Sequence, residues 1–277
     1  MTSITDTLAS QRVRFRALHR EGCFILPNPW DAGSARYLEG LGFKALATTS
    51  SGHAWSQGQA DGALSRDAVL AHLREIVAAT DLPVNADFEN GFAPDAQGVA
   101  QSVRLAIDTG VAGLSIEDST GDASNPLFPI EVAVVRLRAA RAAIDEAGGD
   151  TLLVGRAENF LYGLTDLDDT IARLKAYAEA GADCLYAPGI RTREQITAVA
   201  AAVAPKPVNL LIGSASEFTL QDVAAMGVRR ISVGGALARS AWGGFMRAAR
   251  EIAENGRFGF AEAARGDELN AFFRRTD

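Results

Sequence analysis

The segment VNADFENGFA (84–93) ends an apolar run in two acids one residue apart, Asp87 and Glu89, with a glycine close behind. A second run, AGLSIE (112–117), closes on Glu117 and is followed at once by Asp118. Asp61 sits in GQADGA, and TLLVGRAENF (151–160) adds Arg156 and Glu158. Carboxylates gathered in one place repel unless a cation joins them. Hard oxygen ligands carried on loops and completed by water are how Mg2+ is commonly held, with Mn2+ as a substitute ion. A lone acid after a strand is also a common helix N-cap, and Asp118 fits that role as well as it fits a site. Asp87, Glu89 and Glu117 are more acids than capping needs. Arg156 among them reads as a clamp for a substrate carboxylate or as an ion-pair partner of Glu158 or a neighbouring acid.

The remaining reactive residues are sparser. His19 and His72 fall in helical patterns, whereas His53 follows an apolar run in TTSSGHAW. That stretch also offers Ser50, Ser51 and the Gly52 amide, suited to cradling an anionic oxygen or simply to making a connecting turn. LLIGSAS (210–216) and SVGGALA (232–238) are glycine-bearing loops of the kind that approach phosphate, or tight turns. Cys23 and Cys184 lie at the beginnings of apolar runs; Lys44 and Lys206 just precede one and Lys175 lies in a helical segment, so none stands at a run's C-terminal end. A Schiff-base mechanism therefore has no evident nucleophile.

The elements that position these residues alternate regularly. Short apolar runs at 23–27, 45–49, 83–87, 112–117, 151–157, 183–188, 207–212 and 229–235 read as strands. Between them lie segments of helical period, such as 65–80 and 167–182. Breaks such as DTGVAG and EAGADC look like a helix C-cap glycine feeding a buried strand. Strict alternation predicts a parallel sheet, and eight units predict an α/β protein of the (β/α)8 TIM-barrel class spanning 1–277 as one domain. An N-terminal helix (about 5–20) precedes the barrel and a further helix (260–275) follows it. In such barrels chemistry sits at the C-terminal ends of strands, where Asp87, Glu117 and Arg156 fall.

Composition limits the alternatives. Over 277 residues the chain is 48% hydrophobic and 22% charged, with a net charge of −7 and its arginines dispersed. These features suit a large globular core and argue against a nucleic-acid groove. No apolar run approaches a membrane span, the N-terminus has no signal-like segment, and two distant cysteines suit a reduced cytoplasmic setting.

Taken in order, SSGHAW…AD, ADFENGF, GLSIEDS and RAENF resemble the isocitrate lyase/phosphoenolpyruvate mutase superfamily, over about residues 20 to 255. The family pattern Asp-x-Asp-x-Gly-(Tyr/Phe)-Gly reads here Asp87-Phe88-Glu89-Asn90-Gly91-Phe92-Ala93. The resemblance implies direct Mg2+ ligation by Asp87, with Asp61, Glu89 and Glu117 holding its waters. It also implies that Arg156 grips substrate, with Ser50, Ser51 and Gly52 at the 2-oxo-acid or carboxylate end. Family members are usually tetramers, dimers of dimers, with the eighth helix swapped between subunits. Their shared chemistry makes or breaks a C–C or P–C bond beside a 2-oxo-carboxylate through an enolate. The segment DSTGDASNPLFP (118–129) departs from both branches: it lacks the lyases' Lys-(Lys/Arg)-Cys-Gly-His loop, and only Asn125 matches the mutases' substrate-binding Asn. The expectation is an Mg2+-dependent carbon–carbon lyase for a small 2-oxo or 2-hydroxy di- or tricarboxylate, with oxaloacetate decarboxylation within the same chemistry. The alternatives are a P–C bond enzyme and a non-catalytic 2-oxo-acid-binding homologue. Candidate proton donors are His53, Ser124 and Tyr162.

Overall fold

Eight short strands form one parallel sheet: β1 (Phe24–Leu26), β2 (Leu46–Ala47), β3 (Val84–Asp87), β4 (Gly113–Glu117), β5 (Leu152–Arg156), β6 (Cys184–Tyr186), β7 (Val208–Leu211) and β8 (Arg230–Ser232). The helices are α1 (Ile4–Leu18), α2 (Ala32–Gly40), α3 (Ser50–Ser56), α4 (Arg66–Ala78), α5 (Ala96–Ile107) and α6 (Ile130–Glu146). They continue with α7 (Leu167–Glu179), α8 (Arg193–Val203), α9 (Leu220–Ala225), α10 (Ala236–Asn255) and α11 (Gly266–Phe273), and a 3-10 turn spans Asn159–Tyr162. The computed structural model describes residues 4–274; the last position of the expected 260–275 helix lies outside that range.

Sheet order runs β1-β8-β7-β6-β5-β4-β3-β2, so the strands wind once around a barrel as predicted. The β1–β2 seam is closed by single bonds rather than a ladder. Ala47 N donates to Pro27 O at 3.0 Å, and Asn28 Nδ2 donates to Thr48 O at 2.9 Å. Asn28 Oδ1 accepts from the amides of Val233 and Gly234, both at 2.9 Å, so one buried side chain ties β1, β2 and the end of β8 together.

Strand alternation divides the apolar material into two layers. Ala86, Leu114, Ile116, Leu153, Leu185, Leu210 and Ile231 pack outward against Leu73, Val103, Leu137, Tyr177 and Val199 of the helices. Leu26, Ala47, Leu152, Val154, Cys184 and Tyr186 pack in a separate inner cluster closed by Phe15 of α1. The break glycines act as the pattern implies: Gly110 and Gly181 end their helices at φ +92° and +105°.

Two local expectations change, and α10 is largely uncovered. TTSSGH does not form a loop, because Thr49 N-caps α3 and its hydroxyl accepts from Gly52 N. The C-terminal helix covers only Gly266–Phe273, with Phe272 packed on Tyr37 of α2 at 4.8 Å. Of α10, only Ala238 is buried, while Trp242, Phe245, Met246 and Ile252 are solvent-facing.

Under the barrel, α1 meets a buried cation. His19 Nδ1 donates to Phe15 O at 2.8 Å, leaving Nε2 to accept from Arg230 Nη1 at 3.4 Å. Arg230 also donates to Asn209 Oδ1 and Asn85 Oδ1. Burial, then the adjacent guanidinium, lowers the His19 pKa to about 3; burial and His53 lower that of His72 to about 3 as well. Unfolded histidine takes up its proton near pH 6.5, so the folded state binds fewer protons below that pH. The histidines' share of stability is therefore complete above pH 6.5 and is lost as pH drops toward 3. Each buried histidine should contribute a slope of up to about 1.4 kcal/mol per pH unit within that window. In urea midpoints taken from pH 7 to 4.5, His19→Gln should lack this histidine's share of the pH dependence, so that its midpoint gains on that of the parent chain as pH falls.

Candidate active site

The acid turn after β3 holds an uncommon backbone. Glu89 and Phe92 sit at φ +46° and +54°, the left-handed region that side chains disfavour. Surrounding bonds hold the turn in that conformation. Glu117 N donates to Glu89 O at 3.0 Å, Phe92 N to Asn90 Oδ1 at 3.1 Å, and Asn90 Nδ2 to Ser119 O at 3.1 Å. From α6, buried Arg136 reaches the carbonyls of Asn90, Ala93 and Pro94 at 2.7, 2.8 and 3.1 Å. Nothing in the sequence pattern singled out Arg136; an arginine on a helix face ordinarily reads as solvated.

At the strand ends the acids meet Arg156. Its Nη1 lies 3.1 Å from Asp87 Oδ1 and 3.2 Å from Glu117 Oε2, and its Nε pairs with Glu158. Its guanidinium carbon stands 5.1 Å over the Tyr186 ring. The side chains of Arg156, Asp87 and Glu117 are each less than one-fifth exposed. Asp87 is fixed further by Ser50 N, which donates to Oδ2 at 2.9 Å, and by its own amide, which donates to Thr48 Oγ1 at 2.9 Å. Thus β3, β4 and β5 bring Asp87, Glu117 and Arg156 together, and α3 supplies one amide to the same carboxylate.

Acid charge exceeds what one guanidinium neutralises. Burial, then Asp87 and Asp61, raises the Glu89 pKa to about 8. Burial raises Glu117 well above its ordinary value, with Glu158, Asp87 and Glu89 adding to the rise and Arg156 opposing it. Asp61 is raised too, by burial first and then by Asp87. Burial alone would lower the Arg156 pKa, but Glu158, Glu117, Tyr186 and Asp87 outweigh it and keep the guanidinium protonated. A hard-oxygen donor set with surplus negative charge suits a small divalent cation. Among the described residues, no three His, Cys, Asp or Glu side chains converge as a ready ion cage.

Other sequence candidates are placed differently. His53 does not face the acids: its imidazole is buried and stacked on His72, centroids 3.7 Å apart. Its place inside a capped helix, which the loop reading missed, is the reason. Asn125 is exposed at the tip of 118–129, where its backbone closes a turn with Asp122 and Thr120. Ser124 Oγ donates to Asp122 Oδ1 in the same turn. Tyr162 OH pairs with Ser119 Oγ at 2.8 Å, linking the 118–129 segment to the turn after β5. Asp118 caps no helix: its carboxylate accepts from Glu158 N, Arg173 and Tyr177. Of the glycine loops, the amides of Val233 and Gly234 are already given to Asn28. A 620 Å3 cavity lies on the β6–β8 side, lined in part by Ser51, Asp61, Arg191, Gly235 and Arg239. It is large enough for a small carboxylate. Arg191 and Arg239 are cations that strand-end reasoning passed over.

A barrel with acids and an arginine at the ends of three adjacent strands is an enzyme architecture. The phosphoenolpyruvate phosphomutase family model matches residues 15–253. An oxaloacetate decarboxylase of Bradyrhizobium sp. (strain BTAi1) is 32% identical over 232 residues, 81% of this chain and 77% of that protein. A crystal structure from Burkholderia cenocepacia J2315, described as a lyase/mutase, superposes with TM-score 0.95 at 50% identity, covering 98% of this chain and 99% of that one. Oxaloacetate acetylhydrolase bound to its product oxalate superposes with TM-score 0.85 at 27% identity, covering 95% and 94%. The chain belongs to the phosphoenolpyruvate mutase/isocitrate lyase superfamily. Within it, the chain is a carbon–carbon lyase.

Removing the cation at position 156 leaves three acids without their partner. Arg156→Met should cost about 3–5 kcal/mol at pH 7, read from urea denaturation. The deficit should shrink as pH falls toward 5, because the acids can then protonate.

Proposed function

We propose that the enzyme is an Mg2+-dependent lyase that cleaves the C3–C4 bond of oxaloacetate or a closely related 2-oxo dicarboxylate. The observation that carries this reading is the buried Asp87–Arg156–Glu117 arrangement, held beside the charge-rich Glu89 and Asp61. Asp87 would ligate the ion directly, with Asp61, Glu89 and Glu117 holding its waters. Mg2+ keeps several waters in such sites, which suits a single direct carboxylate better than an all-protein cage. When bound, the ion would supply Lewis acidity toward the 2-oxo group. Names of relatives point the same way, since several are oxaloacetate decarboxylases.

The chain's own residues would do the positioning. Arg156 uses Nε and Nη1 on the acids, so Nη2 is the nitrogen left for a substrate carboxylate. Its fixed plane over Tyr186 and its bond to Glu158 preset that direction, so little ordering remains to be done on binding. Ser51 and Gly52, in the first turn of α3, would meet the other end of the 2-oxo acid, beside the cavity that Ser51 lines. Cleavage passes the C3–C4 electron pair into the 2-oxo group as CO2 leaves, and the enolate then takes a proton at C3 to give pyruvate. His53, Ser124 and Asn125 are engaged elsewhere. Tyr162, bonded to Ser119 at the foot of the 118–129 segment, is the donor nominated among the sequence candidates.

The exposed apolar side chains of α10, Trp242, Phe245 and Met246, support assembly as a homo-oligomer, proposed here as a dimer of dimers in which this helix packs on a partner. The two unpaired cysteines, Cys23 and Cys184, support residence in the cytoplasm. No described helix is long and apolar enough to cross a membrane.

Oxaloacetate should yield pyruvate and CO2 only with Mg2+ or Mn2+ present, and Asp87→Ala should abolish that turnover. Phosphonopyruvate should release neither phosphate nor phosphoenolpyruvate. If it did, with oxaloacetate untouched, the carbon–carbon reading would be wrong. Metal binding must displace protons from Glu89, so Mn2+ affinity should rise with pH through about 8. Calorimetry in buffers of different ionisation heat should report the released proton.

A further inference from the structure

Arg156 is only as well aimed as Glu158, which grips its Nε, and Glu158 is aimed by something outside the acid cluster. Asp118 holds both ends of the short segment between them. Its amide donates to Arg156 O at 3.2 Å, and its Oδ1 accepts from Glu158 N at 2.8 Å. Between these, Ala157 N donates to Tyr186 O at 2.8 Å, so the backbone from 156 to 158 is fixed at every residue. The second carboxylate oxygen of Asp118 is fixed in turn from α7: Tyr177 OH donates at 2.5 Å and Arg173 Nη1 at 3.0 Å. All four of Asp118, Glu158, Tyr177 and Arg173 are buried.

The same guanidinium reaches two further segments. Arg173 Nη1 donates to Phe128 O at 2.9 Å, while Phe128 N donates to Asp118 O at 2.8 Å. Both ends of the 118–129 segment thus meet on one ion pair. Arg173 Nε donates to Asp169 Oδ2 at 2.8 Å, and Asn159 Nδ2 donates to that same oxygen. Asp169 thereby ties the turn after β5 to α7.

We propose that Asp118, Arg173 and Tyr177 are positioning residues: a buried clamp between the end of β4 and α7 that sets the direction of Arg156 through Glu158 and binds the foot of the 118–129 segment to it. None of the three needs to touch substrate or metal. An ordinary structural ion pair would support the fold alone. This one sits where β4 and β5 end, and it continues their pairing by one side chain beyond the last ladder bond, between Glu117 and Arg156. A buried carboxylate that accepts from a backbone amide, a hydroxyl and a guanidinium at once specifies one geometry rather than merely adding stability. The inference rests on Arg156 being the substrate-gripping residue of the proposed lyase.

The test uses the full-length chain with two variants. Tyr177→Phe removes one hydroxyl and no volume. Asp118→Asn keeps an acceptor for Glu158 N but turns a donor toward Arg173, which cannot accept. In protein carrying 15N at arginine Nε, the Arg156 signal is identified by its loss in Arg156→Lys. It should shift in Tyr177→Phe and shift further or broaden in Asp118→Asn. Oxalate affinity, and kcat/KM for oxaloacetate, should fall about tenfold in Asp118→Asn, the worth of one hydrogen bond, and less in Tyr177→Phe. The Mn2+ dissociation constant should stay within twofold in both. An unmoved Arg156 signal, or Mn2+ affinity falling in step with oxalate affinity, would overturn the proposal. Absence of oxaloacetate turnover in the unsubstituted chain would instead sink the lyase reading and leave the Arg156 signal to decide the clamp.

Discussion

Everything at the mouth of this barrel depends on one guanidinium buried among acids. Asp87, Glu117 and Glu158 come from the ends of two further strands and from the turn after β5, and each makes contact with Arg156. Burying a charge is costly unless it is paired and hydrogen-bonded. Arg156 makes the burial of three carboxylates tolerable, yet it does not balance Glu89, raised to about 8, or Asp61, which burial and Asp87 also push up. Such an imbalance is unfavourable for a structural ion-pair cluster and well suited to a site that receives a cation.

The barrel holds that imbalance in place with bonds from outside the cluster. Arg136 ties down the left-handed turn carrying Glu89, Asn28 stitches the seam that α3 leaves from, and Asp118 with Arg173 fixes the far side of Arg156. These supports come from α6, from the end of β1, and from α7 acting through Asp118 at the end of β4. The side chains proposed for the chemistry are thereby carried on strand ends, while residues on the surrounding ring hydrogen-bond the backbone and side chains beside them.

How legible the site was varied with the kind of interaction. Asp87, Glu117 and Arg156 could be read because strand ends and loop acids have a sequence signature, and the structure places all three in contact. His53 could not be placed correctly, because Thr49 capping turns a serine-bearing stretch into a helix and carries the buried imidazole into a stack on His72. Asn125 had matched a motif, but a turn closed by Thr120 and Asp122 puts it on the surface. Asp118 could be read equally as a cap or as part of the site, because its partners, Arg173 and Tyr177, lie 55 and 59 residues away.

By itself the sequence determined the alternation of eight strands and their helices, because the two periods of apolar residues are local properties that any chain segment displays. It also determined which acids stand at strand ends. Tertiary structure alone decided which of them share a cation, how far burial shifts their protons, and which helix arginines reach inward. Those outcomes depend on distance and desolvation between segments far apart in the chain, and no local pattern encodes either quantity.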